Sequence, residues 1–226
     1  MRPSQLFLLC IWLAAAPAGA VTLQEAFEAA PAAGGYDRYL ELTTGEVYTG
    51  GLLIGPTWDD DRAEFHDLEL GLDVKIAGNG AILDLQGQHI CISFCSNRLD
   101  VEDCIILNGE VRYRGDADLA VDRTPAGSVR YCTFYRPVRY GVRLVGAGEG
   151  ITVERNIVVD AVDAGLDYMV WTGISSDNLP TGLAVGLSVQ TGSYGFPVVQ
   201  RNWTFFTDPE LNAVPLRHYC LLCEYG

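Results

Sequence analysis

Val153-Glu154-Arg155-Asn156-Ile157-Val158 is the stretch on which the fold turns. An apolar residue is followed three places later by Asn, and another apolar residue stands two places beyond. Val199-Gln-Arg-Asn202-Trp-Thr204 repeats the phrase with Thr at the last place. Val101-Glu-Asp-Cys104-Ile-Ile106 and Val129-Arg-Tyr-Cys132-Thr-Phe134 repeat it with Cys at the centre. Ile76-Ala-Gly-Asn79-Gly-Ala81 fits, and Leu42-Thr-Thr-Gly45-Glu-Val47 fits more loosely. The central residues are 34, 25, 28, 24 and 46 places apart. A recurrent spacing of about two dozen residues is the mark of a solenoid, in which each unit buries its apolar face only against its neighbours. The gap of 46 predicts a degenerate rung near Asn178, and the gap of 34 predicts an acidic insertion from Pro56 to Asp67.

Asn and Gly adopt a left-handed backbone most easily, so the central place predicts a tight turn between two strands of one coil. The flanking apolar residues then point inward. The two central cysteines, Cys104 and Cys132, are expected as small buried thiols on consecutive rungs, both reduced. A helical fold is a poor match, because 25 glycines and 10 prolines punctuate strand-like runs such as Ile151-Thr-Val. One helix signal stands out. Thr22-Leu-Gln-Glu25 is a capping box followed by Ala26-Phe27-Glu28-Ala29-Ala30, which predicts a short helix over the open end of the solenoid.

The expected fold is therefore all-β: a right-handed parallel β-helix of about seven rungs with a short N-terminal capping helix. Residues 1–20 read as a signal peptide, with Arg2, an apolar run from Leu6 to Ala16 and a small-x-small site at Ala18-Gly19-Ala20. Residues 21–35 are assigned to the capping helix and 36–226 to the β-helix. Secretion, to the periplasm, the cell surface or the medium, is the expected localisation. The apolar run is too short to span a bilayer. With 15 Lys+Arg against 29 Asp+Glu, the net charge of −14 speaks against nucleic acid and anionic membranes as partners. Cys220-Leu-Leu-Cys223 has half of a zinc-site spacing and no second half.

These repeats resemble the right-handed β-helix proteins of the pectate-lyase-like superfamily. Gly45-Glu-Val-Tyr-Thr-Gly-Gly51 looks like their opening strand, and Val74-Lys-Ile-Ala-Gly-Asn-Gly-Ala-Ile-Leu-Asp84 looks like their first full rung. The resemblance covers roughly Tyr36 to Thr207. It implies an extracellular acidic polysaccharide as partner, lyase chemistry on uronates and calcium as cofactor. A non-catalytic surface or structural β-helix is the alternative, because this scaffold hosts many activities. The carboxylate phrases of the related polygalacturonases do not occur.

Counting eight to eleven residues past each rung centre reaches a second family of strands. There Ile90, Val111, Tyr113, Val142, Leu144, Leu166 and Tyr168 are expected inside. Cys91, Arg112, Arg114, Arg143 and Asp167 are expected outside, with His89 at the strand start. Guanidinium forks match carboxylates and sulfates, so Arg112, Arg114, Arg143 and Asp167 are the substrate-binding candidates. Arg143 and His89 are the catalytic candidates, and Asp116, Asp118 and Asp122 the calcium candidates. A bland reading pairs the arginines with Asp116, Asp118, Asp163 and Asp167. The loop Trp58 to Asp67 lacks the glycine and alternating ligands of an EF-hand, and reads as a solvated charged loop. Asn202-Trp-Thr204 is a glycosylation sequon, but its Asn has a structural role in the rung.

Overall fold

A computed structural model of the chain describes residues 21–55, 57–59, 64–66, 71–93, 98–114, 125–138, 140–145, 150–161, 164–169, 188–189, 198–205 and 207. The helix α1, Leu23–Ala29, opens the described chain. Thr22 Oγ1 accepts from the Glu25 backbone N–H at 3.1 Å, and the Glu25 carboxylate accepts from the Thr22 backbone N–H at 2.8 Å. The capping box thus closes as expected. Leu23 is fully buried, and Ala26 and Phe27 pack on the same core, so the helix seals the first coil with its apolar side.

Strands follow in threes. The first coil is β1 (Arg38–Glu41), β2 (Val47–Thr49) and β3 (Leu52–Ile54). A hairpin, β4 (Thr57–Asp59) and β5 (Glu64–His66), comes next. The second coil is β6 (Asp73–Ala77), β7 (Ile82–Asp84) and β8 (His89–Ile92). The third is β9 (Arg98–Glu102), β10 (Ile105–Leu107) and β11 (Glu110–Arg114). The fourth is β12 (Ala126–Arg130), β13 (Thr133–Tyr135) and β14 (Tyr140–Val145). The fifth is β15 (Ile151–Glu154), β16 (Ile157–Val159) and β17 (Ala164–Met169), and then come β18 (Ser188–Val189), β19 (Val198–Gln200) and β20 (Trp203–Phe205).

Three six-stranded parallel sheets result: a first of β1-β6-β9-β12-β15-β19, a second of β2-β7-β10-β13-β16-β20, and a third of β18-β17-β14-β11-β8-β3. The fold is a right-handed parallel β-helix. In the first sheet Leu40, Ile76, Val101, Val129, Val153 and Val199 stand in one register column. The first five are at most 2 % exposed. Each buried valine contributes about 1.5–3 kcal/mol relative to exposure, which fixes the register against one-residue slips.

Two features differ from the sequence expectation. The left-handed residue is not the central one in most rungs. Asp103, Tyr131, Arg155 and Arg201 carry φ of 54 to 57°, each just before Cys104, Cys132, Asn156 or Asn202. Asn79 is itself left-handed (φ 52°), but Ile82 pairs with Ile105, so Asn79 lies in a longer turn and is not level with Cys104. The central residue instead points inward. Asn156 is fully buried; its Oδ1 accepts from the Cys132 backbone N–H at 2.9 Å and its Nδ2 donates to Val129 O at 2.9 Å. Asparagine is used there for its two-sided hydrogen bonding. Left-handed Tyr and Arg cost roughly 1–2 kcal/mol each, which the rest of the coil must offset.

The second difference concerns the long gap. β19 pairs directly with β15, and β20 with β16, so no rung at Asn178 intervenes in those two sheets. Residues 170–187, Asn178 included, lie outside the described residues. The chain instead returns through β18, which pairs with β17 in the third sheet. The insertion at 56–67 is there as expected, but part of it is an antiparallel hairpin with Trp58 opposite Phe65.

Candidate functional site

The outer face of the third sheet carries the arginines. Parallel pairing sets Leu53, Cys91, Arg112, Arg143, Asp167 and Ser188 in one column along the solenoid axis. Adjacent members are therefore about 4.8 Å apart at the backbone. The opposite face packs inward as expected: Ile90, Val111, Tyr113, Val142 and Leu144 are at most 2 % exposed. Tyr113 keeps its hydroxyl satisfied by donating to Leu99 O at 2.7 Å. Leu166 and Tyr168 continue this register opposite Val142 and Leu144.

Two arginines stand in register on neighbouring strands. Arg112 is directly opposite Arg143, and both are half-buried. Like charges on facing positions repel, so the pair needs counter-charge. Arg112 finds it in Glu110, two residues earlier on the same strand. Its Nε donates to Glu110 Oε1 at 2.8 Å, and a second nitrogen makes an ion pair with the same oxygen. The Glu110 side chain is only 6 % exposed, so this is a sheltered pair. Sequence reasoning did not single out Glu110, although a same-face carboxylate two residues before Arg112 was the available clue. The expected partners were Asp116, Asp118, Asp163 and Asp167. Of these only Asp167 lies within the described backbone, opposite Arg143. Arg143 also stacks over the Tyr140 ring, 5.2 Å from its centroid. Arg114 is exposed at the end of β11.

His89 and Cys91 complete the face. His89 is half-buried and in register with Glu110. Burial first, and then the Arg112 charge, lower its pKa, while Glu110 acts in the opposite direction. The imidazole is thus favoured in its neutral form, the form a proton acceptor needs. Cys91, expected at the surface, is only 4 % exposed. Burial pushes its thiol up to about 11, against the opposing pull of Arg112 and Arg114. It is a poor nucleophile in this state.

Asp116, Asp118 and Asp122, the calcium candidates, lie outside the described residues. Among the described residues there is no group of three or more His, Cys, Asp or Glu that could hold a metal ion. Among the described residues no helix is long and apolar enough to cross a membrane. The sequon Asn202 donates from Nδ2 to Val153 O at 2.9 Å, so its amide is committed to the rung.

Comparison of the chain with protein-family models, with curated proteins and with solved structures finds no match.

Proposed function

We propose that the chain is an exported, pectate-lyase-like β-helix protein that binds an acidic extracellular polysaccharide on the outer face of its third sheet. The observation that carries the reading is the in-register, half-buried pair Arg112 and Arg143 on a chain of net charge −14. Half-buried guanidinium groups hold carboxylates or sulfates more strongly than exposed ones, because less water screens the contact. Cleavage is the chemistry His89 would add. A neutral imidazole beside two cations suits removal of a proton next to a uronate carboxylate that Arg143 neutralises.

The competing reading is a structural β-helix without catalysis. The Glu110–Arg112 pair favours it, since an arginine already neutralised needs no ligand. Calorimetry with polygalacturonate separates the two. Arg143→Ala is expected to weaken binding at least tenfold, while Lys75→Met on the first sheet leaves it unchanged. His89→Ala is expected to leave binding intact and to abolish the ultraviolet absorbance of unsaturated products, measured with and without calcium. Equal affinities for wild type and Arg143→Ala would leave the structural reading.

A further inference from the structure

The second sheet and its corner with the first carry an aromatic and cationic strip away from that face. The left-handed residues Tyr131, Arg155 and Arg201 succeed one another on the fourth, fifth and last described rungs, and all three are exposed. Two residues further on, Thr133, Ile157 and Trp203 form a parallel column on the outer face of the second sheet. Ile157 is 41 % exposed and Trp203 72 %. Arg155 lies over the Tyr131 ring at 5.3 Å from its centroid, and its guanidinium donates to the Tyr131 hydroxyl. The guanidinium plane is thereby held against the ring.

Bulky residues rarely occupy a left-handed backbone, where Gly, Asn or Asp fit with less strain. Asp103 holds the equivalent place one rung earlier than Tyr131. Strained residues that also present their side chains outward are a pointer to a ligand contact. The chemistry of the strip is specific: a flat indole and an aliphatic shelf for an apolar ring face, with two arginines for anions alongside. A rigid row along the axis, repeating at about 4.8 Å, suits a linear polymer.

We infer that Tyr131, Arg155, Arg201, Ile157 and Trp203 form a second binding strip for an anionic pyranose polymer, with sugar rings on Trp203 and acid groups on Arg155 and Arg201. The ligand class rests on the reading given above, whereas the surface does not.

The test uses the full chain and three probes: polygalacturonate, dextran sulfate, and vesicles of phosphatidylglycerol. Trp203→Ala and the double variant Arg155→Gln/Arg201→Gln are each expected to weaken polymer binding at least fivefold, with unchanged thermal melts. Trp203→Phe, which keeps a ring, is expected to retain most of the affinity. The polymer that responds tells carboxylate from sulfate recognition. Loss in the strip variants with no effect of Arg143→Ala supports the strip and removes the third-sheet site. Loss in Arg143→Ala alone overturns the strip and keeps that site. Failure of wild type to bind either polymer, or tighter binding to vesicles than to both, overturns the strip.

Discussion

Asn202 receives, on its single Oδ1, both the backbone N–H and the side-chain amide of Asn156, each at 3.0 Å. This ladder continues to Cys132 and then stops, because a thiol replaces the next amide. Cys132 Sγ points to Val101 O at 3.8 Å, the position equivalent to Val129 O below Asn156, but the contact is long and weak. Asn156→Ala is expected to cost about 2–4 kcal/mol in urea unfolding, since Cys132 N–H and Val129 O lose their partner in the core. Cys132→Asn is expected to be neutral or to gain up to about 1 kcal/mol by extending the ladder. A loss below about 0.5 kcal/mol for Asn156→Ala would contradict the ladder's role.

Gly127 is a second point of strong constraint. Its φ is 133°, and an added Cβ would lie 1.9 Å from Leu99 O, a backbone atom that cannot move aside. Gly127→Ala is expected to prevent folding or to cost more than about 4 kcal/mol. Gly45, with φ 74° and open space around it, is the contrast: Gly45→Ala is expected to cost only about 1 kcal/mol. Similar melting temperatures for the two variants would count against the close approach of the first-sheet strands.

Alkaline pH should destabilise the fold. The pKa of Cys91 is raised to about 11, mainly by burial, and burial likewise raises that of Tyr113. Cys104 is raised by its contact with the Cys132 thiol and by burial. A group whose folded pKa exceeds its unfolded value contributes stability below the unfolded pKa and loses it as pH rises. The urea midpoint is therefore expected to hold steady between pH 7 and 8 and to fall above about pH 9. A flat midpoint up to pH 11 would be inconsistent with buried thiols.

Thiol labelling gives an independent check. Cys104 and Cys132 are free and at most 2 % exposed, as stacking on consecutive rungs predicts. Both are expected to resist a maleimide until the chain unfolds, so that labelling rises only through the urea transition. Rapid modification of either in the native protein would show that the coil opens locally.

His89 offers a spectroscopic test of the third-sheet face. Its pKa, followed by NMR, is expected below the usual 6.5. Such a depressed histidine contributes stability above its unfolded pKa and loses it as pH falls. Arg112→Met should move the value upward and Glu110→Gln further down, because the two charges act in opposite directions. Shifts of the reverse sign would mean that the histidine lies in a different electrostatic setting.

The inward columns were legible in the sequence because strand alternation and rung repetition reinforce each other at Val101, Val129 and Val153. The role of Asn156 was half-legible. Asparagine serves both left-handed turns and amide ladders, and only the coordinates show the turn residue to be Arg155. The burial of Cys91 could not be read, because alternation assigns a face and says nothing of what covers it. The spacing to Asn202 misled for a related reason: a sequence gap of two periods does not distinguish a hidden rung from an excursion that rejoins the same sheet.

The three corners of the coil are unequal in length. Between the first and second sheets the third, fourth and fifth coils each spend only two residues: Asp103-Cys104, Tyr131-Cys132 and Arg155-Asn156. Between the third and first sheets the chain runs from Ile92 to Arg98 in one coil, from Arg114 to Ala126 in the next, and from Val145 to Ile151 after that. Length thus varies most at the corner beside the arginine column and much less at the corner between the first and second sheets. A scaffold of this kind can diversify its binding loops without re-solving its core, and grafted segments should be accepted there and rejected at the ladder.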